Sequence, residues 1–181
     1  MKIHYDMKDN YMKYFNEANG IYLLKKRLKK KPNTKIKSYT RLITMPFIIS
    51  FILGLICLVL AAIMNLQWLL DILIDLSAIL SATYILMLYP FFSSYRNKSI
   101  NSREGILEIK KDGISDKAKK SFQIIFSYEQ IELIVITDRL VVILTETPLM
   151  LFFKNKNFEK EKMINMVKKN SNIQVIDQSN N

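Results

Sequence analysis

The sequence predicts a membrane α+β protein, in which a two-helix transmembrane hairpin carries a small cytoplasmic β-meander and a C-terminal helix. Three observations predict it. Residues 42–92 contain no Lys or Arg and only two acidic residues, Asp71 and Asp75, so the segment carries −2. The flanks are basic: residues 1–41 hold twelve cations against three anions and residues 93–181 fifteen against eleven, for a total of +11 over 181 residues. After residue 100 the apolar pattern changes to short runs rich in Ile, Val and Phe, separated by turn signals. A water-soluble globule does not keep 51 consecutive residues free of cations between such flanks.

The first element, residues 2–5, reads as a short strand. Asp6 then offers an N-cap to a helix over 8–30, whose apolar residues Tyr11, Phe15, Ala18 and Tyr22 recur at helical spacing. Gly20 weakens that helix by about 1 kcal/mol relative to Ala, and Pro32 ends it. Its second half carries the run Lys25, Lys26, Arg27, Leu28, Lys29, Lys30, Lys31. This run is a topological signal, and it is also a candidate contact for anionic lipid headgroups, which attract juxtamembrane cations at roughly 1 kcal/mol each. No aromatic-stacking or groove-reading motif accompanies it, so nucleic acid is not expected as a partner.

Residues 42–64 and 69–92 are each long enough, at about 35 Å, to cross a hydrocarbon core of about 30 Å. Only residues 65–68 separate them, which makes a tight hairpin. Cations lie before the first run and after the second (Arg96, Lys98, Arg103) and none lies in the turn, so positive-inside bias puts both termini in the cytoplasm. Trp68 suits the outer interface, and Tyr39, Tyr89 and Tyr95 suit the inner one. Pro46 and Pro90 lie near the cytoplasmic ends. Gly54 and Ala61–Ala62 permit close packing against the partner helix. Asp71 and Asp75 sit one turn apart near the outer end of the second helix. They form a candidate intramembrane polar pair, or else an interfacial pair that complements the helix N-terminus.

Beyond the hairpin, residues 105–110, 114–118, 122–128, 131–137, 140–145 and 149–153 read as strands. Turn signals at Asp112-Gly113, Asp138-Arg139 and Glu146-Thr147-Pro148 divide them. The run 131–136 is apolar at five of six positions, as in a central strand covered on both faces. A helix over 158–169 follows, capped by Asn155 or Asn157, then a last strand over 172–176 and a tail over 178–181. Six strands and one helix in so few residues suggest a small barrel or bent sheet plugged by the helix. The N-terminal strand and helix are expected to pack on it. The division by sequence is therefore 1–41, 42–64, 69–92, 100–177 and 178–181.

The order of elements, with the segments YDMKDNYMKYFNEA, GILEIKKDGIS, FSYEQIELI and LFFKNKNFEKEK, resembles the YcxB-like family of bacterial membrane proteins. Tyr128 and Ile131 stand at the places of that family's Trp-x-x-Ile strand entry. Phe152, Phe153 and Lys154 stand at its Ile-Pro-Lys strand-to-helix junction. Tyr thus replaces Trp, and Phe replaces Pro. The resemblance implies a pleckstrin-homology-like (PH-like) C-terminal domain and a bacterial cell membrane, and it carries over no catalytic or binding residue.

One cysteine, Cys57, and one histidine, His4, leave no material for a disulfide framework or a His-rich metal site. No G-x-S-x-G, H-E-x-x-H or phosphate-cradling glycine loop occurs. The expected function is a non-enzymatic, membrane-anchored binding or scaffold module without a cofactor. Its expected partners are anionic lipid headgroups and a protein partner or a second copy. Lys117, Lys119 and Lys120, near one β-turn, read as solvated lysines or as a headgroup site. The alternative function is self-protection against a membrane-active toxin or bacteriocin.

Overall fold

The computed structural model describes residues 1–7, 11–96, 104–118, 123–147, 149–155 and 158–179, with the backbone alone over 90–96. Several expectations lie outside these residues: Lys8 as the helix start, Lys98 and Arg103 as flanking cations, Lys119 and Lys120, Phe122, Pro148 and Asn157. The chain forms two units, one of residues Met1–Tyr39 with Asn97–Asn181 and the other of Thr40–Arg96.

In the first unit, strand β1 (Lys2–Asp6) alternates exposed and buried residues along its whole length, with Ile3 and Tyr5 inside. It pairs antiparallel with β2 (Glu104–Ile109), placing Ile3 opposite Leu107 and Asp6 opposite Glu104. Asp6 is therefore the last residue of a strand and not the cap of the next helix, because the period-2 pattern runs through it. From β2 the chain turns at Lys111-Asp112, closed by the Lys110 amide donating to the Gly113 carbonyl (2.9 Å), into β3 (Gly113–Ala118). β3 in turn pairs with β4 (Gln123–Ser127), which completes an antiparallel sheet in the order β1-β2-β3-β4.

A single 3-10 turn, Tyr128–Gln130, ends β4, so the strand expected over 122–128 stops before Tyr128. The Ser127 amide donates to Gln130 Oε1 at 3.0 Å and closes that turn. Tyr128 is buried, and its hydroxyl donates to the Lys110 carbonyl at 2.8 Å. Beyond the turn, β5 (Ile131–Ile136), β6 (Leu140–Thr145) and β7 (Met150–Lys154) form a second antiparallel meander. After α4 (Lys160–Asn170), strand β8 (Val175–Asp177) returns parallel to β5, giving the order β7-β6-β5-β8. In place of one continuous meander the unit thus has two four-stranded sheets, because the 3-10 turn splits the run and β1 and β8 each add an edge.

The core is shared by both sheets and α1 (Tyr11–Lys30), with Leu133, Ile134, Ile136, Leu140, Ile143 and Phe153 fully buried. α1 packs on β5, β6 and β7 through Tyr11, Ala18, Ile21 and Leu28, spaced seven, three and seven residues apart on one face. Its Glu17 accepts from Thr137 Oγ1 (3.0 Å) at the β5–β6 turn. α4 buries Met163 and Val167. Its N-cap position is Glu159, which makes no side-chain cap bond. Asn155, expected as the cap, instead donates through Nδ2 to the Thr137 carbonyl at 2.6 Å.

In the second unit, α2 (Tyr39–Ile63) and α3 (Gln67–Arg96) contain 25 and 30 residues, about 37 and 45 Å of helix. α2 ends in a Schellman motif: Asn65 takes the left-handed conformation (φ 58°), the Leu66 amide donates to Ala61 O (3.0 Å), and the Asn65 amide donates to Ala62 O (3.2 Å). Toward the other end, Tyr84 of α3 meets Phe47 (ring centroids 4.7 Å) and Thr44 (3.3 Å between hydroxyls). The helices line a cleft of about 630 Å³ between them. Two of the serines that line it are satisfied within α3, Ser77 donating to Ile74 O (2.7 Å) and Ser81 to Ser77 O (2.8 Å).

Candidate functional site

The candidate site is the cationic second half of α1 together with Lys31, which directly follows it. Helical spacing divides its six cations into two sets. Lys25 and Lys29, four residues apart, reach the same carboxylate: Lys25 Nζ lies 3.4 Å from Glu132 Oε1 and Lys29 Nζ 3.1 Å from Oε2. Glu132 is the one charged residue of β5, on the position that departs from the strand's otherwise buried pattern. Burial pushes its carboxyl pKa up. The hydrogen bond and charge of Lys29, joined by those of Lys25, outweigh that push and hold it below the usual carboxylate value. Lys25 also sits 5.0 Å above the Tyr22 ring.

Lys26, Arg27, Lys30 and Lys31 form the second set, and all four are exposed. The segment that follows is pinned. Gln178 Nε2 donates to the Pro32 carbonyl and to the Thr34 carbonyl (3.0 Å), Ile36 packs on the core, and the Lys37 carbonyl lies directly over Gly20. Gly20 is thus the residue that lets this segment cross α1, since a Cβ there would occupy the place of the Lys37 carbonyl. Lys35 and Lys37 remain exposed along this crossing. The result is a set of exposed cations on a framework fixed from three sides by α1, the core and the C-terminal segment.

Asp71 and Asp75 lie on α3, one turn apart and exposed, and neither lines the cleft between the helices. Lys117 is exposed on β3, opposite Ile106 and Gln123. The structure also brings together groups that sequence reasoning did not pair. Asp116, 2% exposed, accepts from the Tyr5 hydroxyl at 2.7 Å across 111 residues of chain. Glu132 belongs with these, and its only sequence signal is a lone charge inside the apolar run IELIVI. Among the described residues, no three His, Cys, Asp or Glu side chains gather as a metal ion would require.

Fold and site together define an α+β protein with two helices long and apolar enough to cross a membrane. No family model matches the chain, and no curated protein matches it. Among solved structures, the Spt16D Pob3N heterodimer is similar over 44% of this chain and 48% of that chain, at 13% identity and a TM-score of 0.36. A likeness of that size carries no argument about fold or function.

Proposed function

We propose that the protein is a non-enzymatic module anchored in a bacterial cell membrane by the α2–α3 hairpin. In this reading both termini are cytoplasmic, and the two-sheet unit is a PH-like domain of the YcxB type. It holds a binding or scaffolding surface at the inner leaflet, with Lys26, Arg27, Lys30 and Lys31 against anionic headgroups. The observation that carries the reading is the near-total exposure of the two apolar helices. Of their most apolar windows 6% and 0% is buried within the protein, a surface that water does not tolerate and a bilayer does. The cationic face adds to it, since four exposed cations at roughly 1 kcal/mol each bias the unit toward an anionic surface at low salt.

The test uses the full chain with Cys57→Ser and one introduced cysteine. In intact cells an impermeant maleimide is expected to label Asn65→Cys, and to label Lys35→Cys only after permeabilisation. Recovery of the chain in the soluble fraction, or the reverse labelling, refutes the anchor and its topology. For the lipid contact, replacing Lys26, Arg27, Lys30 and Lys31 by Gln is expected to reduce the anionic lipid that co-purifies with the protein. Replacing Lys25 and Lys29 is expected to reduce it less, because Glu132 already engages both. Equal effects of the two replacements refute the assignment of the exposed set.

A further inference from the structure

We propose that the outer edge of β4 pairs with the same edge of a second copy of this chain, about a two-fold axis through Ile125. β4 is the last strand of its sheet, and among the described residues no strand pairs with its outer side. The groups on that side follow from the ladder. The Gly113 carbonyl accepts from Lys110 and so points to β2, which by strict alternation turns Ile114 and Asp116 toward β4. Their partners there are Phe126 and Ile124. The backbone groups of Gln123, Ile125 and Ser127 therefore point outward, and the Ser127 amide does so onto Gln130 Oε1.

Antiparallel pairing of two such edges places Ile125 opposite Ile125, Gln123 opposite Ser127 and Ile124 opposite Phe126. The two Ile125 residues exchange both of their hydrogen bonds, and each Gln123 amide donates to the partner's Ser127 carbonyl. All four bonds form without disturbing Gln130. No charge lies along QIIFS, so no like charges meet, and the edge carries neither the Lys nor the Pro that commonly protect such strands. Ile124 and Ile125 are 41% and 64% exposed, adjacent large apolar side chains on opposite faces of one edge strand. Two-fold pairing covers both faces at once. A second copy is the fitting occupant because the complement is built into the strand: with Ile125 on the axis, the uncharged edge meets itself in register. This inference does not depend on the membrane reading.

The test is disulfide trapping of the full chain in a Cys57→Ser background, oxidised with copper phenanthroline in a detergent-free lysate. Ile125→Cys is expected to form a covalent dimer, since directly paired residues have Cα atoms about 5.5 Å apart, within disulfide range. Chains with Gln123→Cys mixed with chains carrying Ser127→Cys are expected to cross-link as heterodimers. Leu23→Cys, at an exposed apolar position of α1, is the collision control and is expected to cross-link several-fold less. Equal trapping at Ile125 and Leu23 overturns the proposal, and so does trapping of Ile125 only to a different protein. In a second measurement, Ile125→Lys is expected to halve the mass of the purified particle while leaving amide-exchange protection of β5 and β6 unchanged. A wild-type particle of monomer mass overturns the proposal as well.

Discussion

Replacing Gly20 by Ala separates two physical effects of opposite sign. Helix propensity alone favours the change by about 1 kcal/mol, because Gly is the poorest helix former after Pro. The tertiary structure opposes it. A methyl at this position would meet the Lys37 carbonyl and come within 3.0 Å of the Tyr39 amide nitrogen, and both are backbone atoms that cannot rotate aside. Overpacking of that kind costs about 1–3 kcal/mol. The expected net result is a loss of about 1 kcal/mol, felt first as detachment of the segment that crosses α1. Hydrogen exchange of the intact chain in micelles reads it directly. Amides of 31–38 are expected to exchange roughly fivefold faster, the equivalent of about 1 kcal/mol. Gly54 supplies the contrast: beyond its own stretch of helix backbone nothing lies within 4 Å of the place a methyl would take there, and its Ala variant is expected to show no loss. A Gly20→Ala chain that gains the propensity increment, with unchanged exchange over 31–38, refutes the crossing.

Other residues make comparable tests. Glu132→Gln is expected to lower stability by roughly 1 kcal/mol, the scale of a surface-proximal ion pair. Because the folded-state pKa of Glu132 lies below its unfolded value of about 4.3, the contribution is fully present above that value and is lost as pH falls through the folded pKa. Wild-type and variant unfolding curves are therefore expected to differ at neutral pH and to converge in acid, and a difference that grows in acid refutes the assignment. Phe153→Ala, at a fully buried ring 5.5 Å from Phe158 and 6.4 Å from Tyr5, is expected to cost about 3–5 kcal/mol in denaturant unfolding. Tyr5→Phe removes one hydrogen bond from the buried Asp116 carboxylate and is expected to cost about 1–3 kcal/mol, measured the same way.

Much of the fold is legible in the residues where one period dominates. The run 140–145 reads as a strand and forms one with the same ends, and 131–136 is central between β6 and β8 as its apolar content implies. Both apolar helices form within a few residues of their expected limits. What escapes sequence reading depends on partners distant in the chain. Asp6 satisfies both an N-cap pattern and a strand alternation, and only pairing with Glu104 decides between them. Asn155 has the chemistry of a cap but finds the Thr137 carbonyl closer. The parallel return of β8 leaves no local signature in a three-residue strand. In the candidate site, all six cations are visible in the sequence. The division between the two that pair with Glu132 and the four that do not is not, because it rests on contacts more than 100 residues apart.

The first unit is built from segments at opposite ends of the sequence. The Met1 ammonium donates to the Ile109 carbonyl at 2.8 Å, and Gln178 reaches back to Thr34. During synthesis, β1 and α1 therefore leave the ribosome long before the sheets that complete their core. At about 5–20 residues per second, the wait is on the order of ten seconds. Throughout it, the apolar face of α1 has no native partner. The nascent chain thus has a period in which its first helix is an exposed amphipathic segment, open to chaperones and to any charged surface nearby. Maturation of the unit waits until Gln178 arrives and closes over the segment between α1 and α2. A chain truncated before Gln178 would lack that closure.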